Sequence, residues 1–178
     1  VLGIVAGYFK DRLPDRLIRG YALLLASTPA FWIGLLLLMV FAVWLGWLPF
    51  GMNLPAGMTA AEAGIGVRIR HLLLPALTLG LTGVANITLH TREKMIAIME
   101  SDYVLFSRAR GESSGYIVKR HALRNLVLPA ITLQFGSISE IFGGSVLVEQ
   151  VFSYPGLGQA AVTAGLGSDI PLLMGITL

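Results

Sequence analysis

"YALLLASTPAFWIGLLLLMVFAVWLGWL", residues 21–48, holds no charged side chain over 28 residues. At about 1.5 Å per residue, a helix of that length exceeds the roughly 30 Å hydrocarbon core of a bilayer. One tilted or kinked helix can therefore cross, and Trp44 and Trp47 stand at its far end, where interfacial aromatics gather. Pro29 is tolerable within such a span because neighbouring helices can satisfy the carbonyl it frees. The composition agrees. Of 178 residues 55% are hydrophobic and 13% charged, with a mean hydropathy of +0.76, whereas soluble domains carry about a quarter charged residues. The chain has no cysteine, which excludes disulfides, thiol chemistry and sulfur-ligated metals.

Further spans follow on either side. Residues 71–91 open with "HLLLPALTLG" and carry Pro75 near their start, and Gly80, Gly83 and Ala85 allow close helix–helix approach. Residues 126–148 form a third span, with Glu140 and the pair Gly143–Gly144 expected to interrupt it. Residues 1–9 read as the tail of an earlier span and 171–178 as the start of a later one. Both ends are expected to be cuts within helices of a longer membrane protein, because each falls inside an apolar run. With no charged segment and small-residue cleavage site at the start, no signal peptide is expected. The implied fold class is all-α, a polytopic transmembrane helical bundle with incomplete first and last helices.

Charge orients the set. Lys10, Arg12, Arg16 and Arg19 precede the first complete span, and Arg92, Lys94, Arg108, Arg110, Lys119, Arg120 and Arg124 lie between the second and third. Only Arg68 and Arg70, of 13 basic residues, fall in the other loop. By the positive-inside rule residues 100–125 face the cytoplasm, and the loop at 49–70 and the turn-rich "FSYPGLG" at 152–158 face outward. No internal repeat or low-complexity tract is present.

The basic connector is more organised than topology requires. In "DYVLFSRARG", residues 102–111, Tyr103, Phe106 and Ala109 stand at helical spacing and form a small apolar face, with Arg108 and Arg110 projecting elsewhere. Gly111 can end this helix in the left-handed conformation, and Ser113 or Ser114 can cap a second helix running through "YIVKRHALRN" toward Pro129. The expectation is a helix–turn–helix elbow. A plain loop whose cations set topology and touch anionic lipid is the simpler reading, but it needs neither an apolar helical face nor caps.

These residues resemble the inner-membrane permease subunits of ABC importers, in the dipeptide, oligopeptide and nickel branch. That family's loop reads approximately "DYVRTARAKG" and then "HALRNALLP". Asp102, Tyr103, Val104, Arg108, Ala109 and Gly111 match the first motif, and His121, Ala122, Leu123, Arg124, Asn125, Leu128 and Pro129 the second. "STPAFWIGLLLLMVFAVWLGWLP" at 27–49, "RHLLLPALTL" at 70–79, "VEQVFSYPGLG" at 148–158, and Asp169 with Pro171 extend the likeness over the whole chain. The resemblance implies the type I ABC importer permease fold and makes Tyr103–Gly111 a coupling helix that docks in a groove on a separate ATPase subunit. Asp102, Tyr103, Phe106, Arg108, Ala109, Arg110, Gly111, His121, Arg124 and Asn125 are then the coupling residues. Leu105, Phe106 and Ser107 depart from the family's Arg-Thr-Ala, Arg110 replaces Lys, and Glu112 stands where an apolar residue is usual.

Other polar groups carry weaker signals. Glu140, mid-span, is expected either to face a translocation path or to be protonated or paired at a helix interface. Phe152, Tyr154, Pro155 and Gly156 are candidates for an outer gate, or simply a turn anchored by aromatics. His71, His90 and His121 sit at span ends on different sides of the membrane, so no metal site is expected. "GESSG" at 111–115 lacks the G-K-[ST] of a phosphate-binding loop, so ATP and magnesium belong to partners and this chain binds no cofactor of its own. No nucleophile–base set or paired acid constellation marks an enzyme.

By resemblance, the expected function is the permease part of an ATP-driven importer for short peptides, or for nickel or another small solute, in a bacterial or archaeal cytoplasmic membrane. The expected partners are a second permease, two ATPase subunits, an extracytoplasmic binding protein and membrane lipid, with no nucleic acid. An ion-coupled secondary transporter is the rival, resting on Glu140 alone. A membrane-embedded hydrolase would need paired catalytic groups at helical depth.

Overall fold

The computed structural model describes residues 1–177 other than 56, 60 and 61, and for residues 139–141 and 177 it describes the backbone alone. Among the described residues every regular element is a helix: α1 (Leu2–Tyr8), α2 (Leu13–Ser27), α3 (Ala30–Leu37), α4 (Ile65–Met99), α5 (Asp102–Ala109), α6 (Ser114–Ile117), α7 (Leu123–Gly136), α8 (Ile138–Val151), α9 (Leu157–Leu166) and α10 (Ile170–Thr177). Wide π turns extend α3 over Leu38–Trp44 and join α6 to α7 over Val118–Ala122. The chain divides into two compact units, Val1–Ser27 with Thr82–Ile138, and Thr28–Leu81 with Ser139–Leu178.

The apolar stretch at 21–48 is not one helix. α2 ends at Ser27, and Pro29 takes an extended conformation (φ −57°, ψ 139°) and begins α3. Proline has no N–H to continue a helix and pushes the residue before it away from helical geometry. Among the described residues α4 alone is long and apolar enough to cross a membrane, and α2 with the α3 segment passes the same test only as a broken span. The third apolar stretch breaks at Ser137, whose hydroxyl donates to Gln134 O at 2.9 Å, while Gly143 and Gly144 lie inside α8.

In the first unit, Gly3 and Gly7 pack one turn apart against the second half of α4. A Cβ on Gly3 would meet Thr88 and Thr91, and one on Gly7 would meet Met95. This is the small-residue device that lets helices approach without a side chain between them. Met95, Ala122 and Leu126 form the buried centre, flanked by Ile4, Ile98, Met99 and Val118. Beside it Arg92 donates two hydrogen bonds to Asp15, at 2.6 and 2.7 Å, and Asp15 also accepts from the Asp11 N–H at 2.8 Å. Asp15 is 1% exposed, and only such a bidentate partner makes burial of the carboxylate tolerable.

In the second unit, Phe152 is 1% exposed and packs with Ala42, Leu74 and Val148. Gly34 lies against its ring. Its carbonyl accepts from the Met52 N–H at 2.8 Å, so close to Gly51 that no side chain fits there. His71 Nδ1 reaches the carbonyls of Gly51 and Met52 at 2.9 and 3.1 Å, and Arg70 donates to Trp47 O at 2.7 Å. These bonds give the buried ends of a long loop the partners they need.

Candidate functional site: the α5–α6 elbow

α5 has two unlike faces. Val104 and Ser107, three residues apart, are buried at 0% and 2% exposure and fasten the helix to its own unit. Phe106 is 71% exposed and Tyr103 40%, and Ala109 is exposed beside them. The apolar face read from the sequence therefore points away from the chain. It borders a shallow recess formed by Tyr103, Phe106, Ala109, Arg110 and His121. Residues three apart share a helix face, so the spacing alone fits Val104–Ser107 as well as Tyr103–Phe106.

The ends of the elbow are locally encoded. Ser101 is extended ahead of α5, and its hydroxyl donates to Ile98 O. Asp102 lies in the first turn of α5, where a carboxylate meets the positive end of the helix dipole. Gly111 has φ +84°, its N–H donating to Arg108 O at 2.9 Å and the Glu112 N–H to Ser107 O at 3.1 Å. A residue with a Cβ resists that conformation. The Ser113 hydroxyl accepts from the Tyr116 N–H at 3.4 Å and so caps α6, the first of the two serines considered.

The second arm folds back on the first. Asn125 Nδ2 donates to the Tyr103 hydroxyl at 3.3 Å, and the Tyr103 and His121 rings lie 6.1 Å apart. Arg110 pairs with Glu112 at 3.2 Å. Glu112 Oε2 lies 3.6 Å from His121 Nε2, both atoms shut off from water without a hydrogen-bond partner among the described residues. Arg120 sits 5.8 Å above the Tyr116 ring, within cation–π range. Thus Tyr103, Ala109, Arg110, His121 and Asn125 come together. Arg124 is exposed, and Arg108 lines a different recess with Lys10, Arg12 and Glu100. In that recess the hydrogen bond and charge of Glu100 hold Lys10 above its usual range.

The candidates at 152–156 fall in the second unit. Phe152 is core, Tyr154 is half-buried against that core, Pro155 is exposed, and Gly156 lies against the Glu149 carboxylate. The side chain of Glu140 lies outside the described residues.

Several contributors escaped the sequence reading. Glu149 accepts from the N–H groups of Gly158 and Gln159, at 3.3 and 2.6 Å, and caps α9 from nine and ten residues upstream. Glu112 links Arg110 to the neighbourhood of His121. Val104 and Ser107 anchor α5, and Asp15 with Arg92 pins the turn before α2. Only Gly3 and Gly7 carried a legible signal, the four-residue spacing of small residues.

Among the described residues every regular element is helical and most expose apolar surface, the character of an integral membrane protein. The family described as binding-protein-dependent transport system inner membrane component matches residues 1–178, and the chain belongs to it. The oligopeptide transport system permease protein AppB of Bacillus subtilis is 40% identical over 152 residues, covering 85% of this chain and 47% of AppB. The glutathione transport system permease protein GsiC of Escherichia coli K12 is 36% identical over 171 residues, covering 96% and 52%. A Brucella abortus protein, provisionally assigned as a peptide transport system permease protein, is 35% identical over 178 residues, covering 100% and 55%. The chain spans about half the length of these curated relatives.

Proposed function

We propose that this chain is the membrane-spanning part of an ATP-driven importer, and that force from separate ATPase subunits enters it at α5. The supporting observation is the division of α5 into a face buried in its own unit, Val104 and Ser107, and an apolar face left open, Tyr103, Phe106 and Ala109. Phe106 leaves most of its ring in contact with water, which disfavours that exposure by roughly 25 cal/mol per Å² of apolar surface, and a groove on a partner removes the cost. The Gly111 bend and the Asn125–Tyr103 bond tie the helix to α7, so displacement of α5 carries into that apolar helix.

ATP and magnesium are held by the partners, and α5 transmits their closure as a switch between inward- and outward-open states. A second permease, two ATPases and an extracytoplasmic binding protein complete the assembly in the cytoplasmic membrane. The printed names of the relatives, which concern peptides, oligopeptides and glutathione, favour a short peptide as cargo over nickel or another small solute.

The test is uptake into vesicles holding the complete transporter, energised either by ATP or by an ion gradient. ATP alone should support uptake, and Phe106→Ala should abolish uptake while leaving the complex assembled. Uptake driven by the gradient without ATP would assign the chain to the ion-coupled class instead.

A further inference from the structure

The recess on the other side of α5 has no part in the coupling face. It is lined by Tyr8, Lys10, Arg12, Glu100, Arg108 and Ser114, drawn from four separate stretches of one unit. Lys10 and Glu100 satisfy each other in an ion pair. Arg12 and Arg108 have no side-chain ion pair among the described residues, so two guanidinium groups line one recess with their donors uncommitted. Guanidinium is a planar fork of donors matched to phosphate oxygens. Tyr8 and Ser114 also line the recess.

The recess is preorganised. The Asp15 carboxylate, locked by Arg92, also receives the Asp11 N–H, and the Arg12 N–H donates to Phe9 O at 2.9 Å. Asp11 has φ +62°, which turns the chain sharply between Lys10 and Arg12. A buried ion pair thus holds the turn that presents Arg12.

A membrane surface reaches the rim. Leu13, Leu17, Tyr21 and Leu24 run along α2 at helical spacing, and all are exposed, Leu13 at 73% and Leu17 at 72%. The stripe begins beside Arg12, while Arg16 and Arg19 lie off it. An amphipathic start of this kind lies in the headgroup layer with its leucines toward the acyl chains. The Tyr8 and Phe9 rings, 4.9 Å apart and nearly perpendicular, close the end of apolar α1, where interfacial aromatics belong. The positive-inside asymmetry puts this rim at the cytoplasmic leaflet, the leaflet rich in anionic lipid.

We propose that Arg12 and Arg108 bind the phosphate of an anionic phospholipid headgroup from the cytoplasmic leaflet. The lipid would bridge the turn before α2 to the elbow helix. Nothing in this inference depends on ATPase docking at α5, so it stands or falls apart from the proposed function.

The test uses the complete transporter in nanodiscs of phosphatidylcholine with a minor fraction of phosphatidylglycerol, bound lipid being counted by native mass spectrometry. Arg12→Gln with Arg108→Gln should weaken phosphatidylglycerol retention about thirtyfold, at roughly 1 kcal/mol per arginine. The paired Lys substitutions, which keep the charge but not the planar fork, should weaken retention less than the paired Gln substitutions, and Arg19→Gln, outside the recess, should change nothing. Added inorganic phosphate should leave the lipid in place. Equal retention in the double Gln variant, or loss in the double Gln and double Lys variants alike, would overturn the proposal. Displacement by inorganic phosphate would also overturn it, by making the ligand a free phosphate.

Discussion

Phe106 lies on α5 shortly before the turn at Gly111 and Phe152 in the turn that follows α8, and the chain treats them in opposite ways. Phe152 is 1% exposed, ringed by Ala42, Leu74 and Val148, with its carbonyl bonded to Met52. Phe106 is 71% exposed on a helix whose other side is anchored and whose C-terminal end is closed by the turn at Gly111. A frayed loop could leave an aromatic in water by neglect. A helix fastened by Val104 and Ser107 holds it out by construction, and this separates the surface proposed to meet a partner from a core.

The largest expected effect tests that contrast. Phe152→Ala should cost about 3–5 kcal/mol, read as a lowered melting temperature of the purified complex. Phe106→Ala should leave melting almost unmoved and fail instead in ATP-driven uptake. Equal destabilisation by both would erase the distinction.

Removing the Arg92 side chain comes close behind. Arg92→Leu strands the Asp15 carboxylate, and breaking a buried pair costs about 3–5 kcal/mol. Replacing both partners by apolar residues should recover much of the loss, whereas breaking the exposed Lys10–Glu100 pair should change melting little. A fully additive double variant would deny the pairing.

Gly111→Val sharpens the elbow side. At φ +84° a side chain costs about 1–2 kcal/mol, and open space around the glycine leaves backbone strain as the whole effect. Melting of the complex should fall by that amount and uptake should fall with it. The smallest change is Ser113→Ala, expected near 0.5 kcal/mol because its cap bond is long at 3.4 Å, and measured by chemical denaturation.

The elbow was legible because its punctuation is local. Gly111 and Ser113 act within three residues of where they stand, so their chemistry shows in the sequence. The face of α5 was half legible, since Tyr103–Phe106–Ala109 and Val104–Ser107 are both helical stripes, and only tertiary packing decides which one the chain covers. The single helix expected across residues 21–48 gave way to proline stereochemistry at Pro29, and a break expected near Gly143–Gly144 fell at Ser137, because glycine pairs are readily carried inside apolar helices. Glu149 could not be read at all. Its partners lie nine and ten residues on, and only the turn at Pro155 and Gly156 returns the chain to it.

The most direct measurement is disulfide crosslinking in the complete transporter, with cysteine placed at Phe106 of this cysteine-free chain and at positions across the ATPase surface. Phe106→Cys should capture an ATPase subunit, with a yield that changes when ATP binds, while Val104→Cys, facing inward, should not. Absence of any ATPase adduct from Phe106→Cys, with capture through Val104→Cys, would contradict the account.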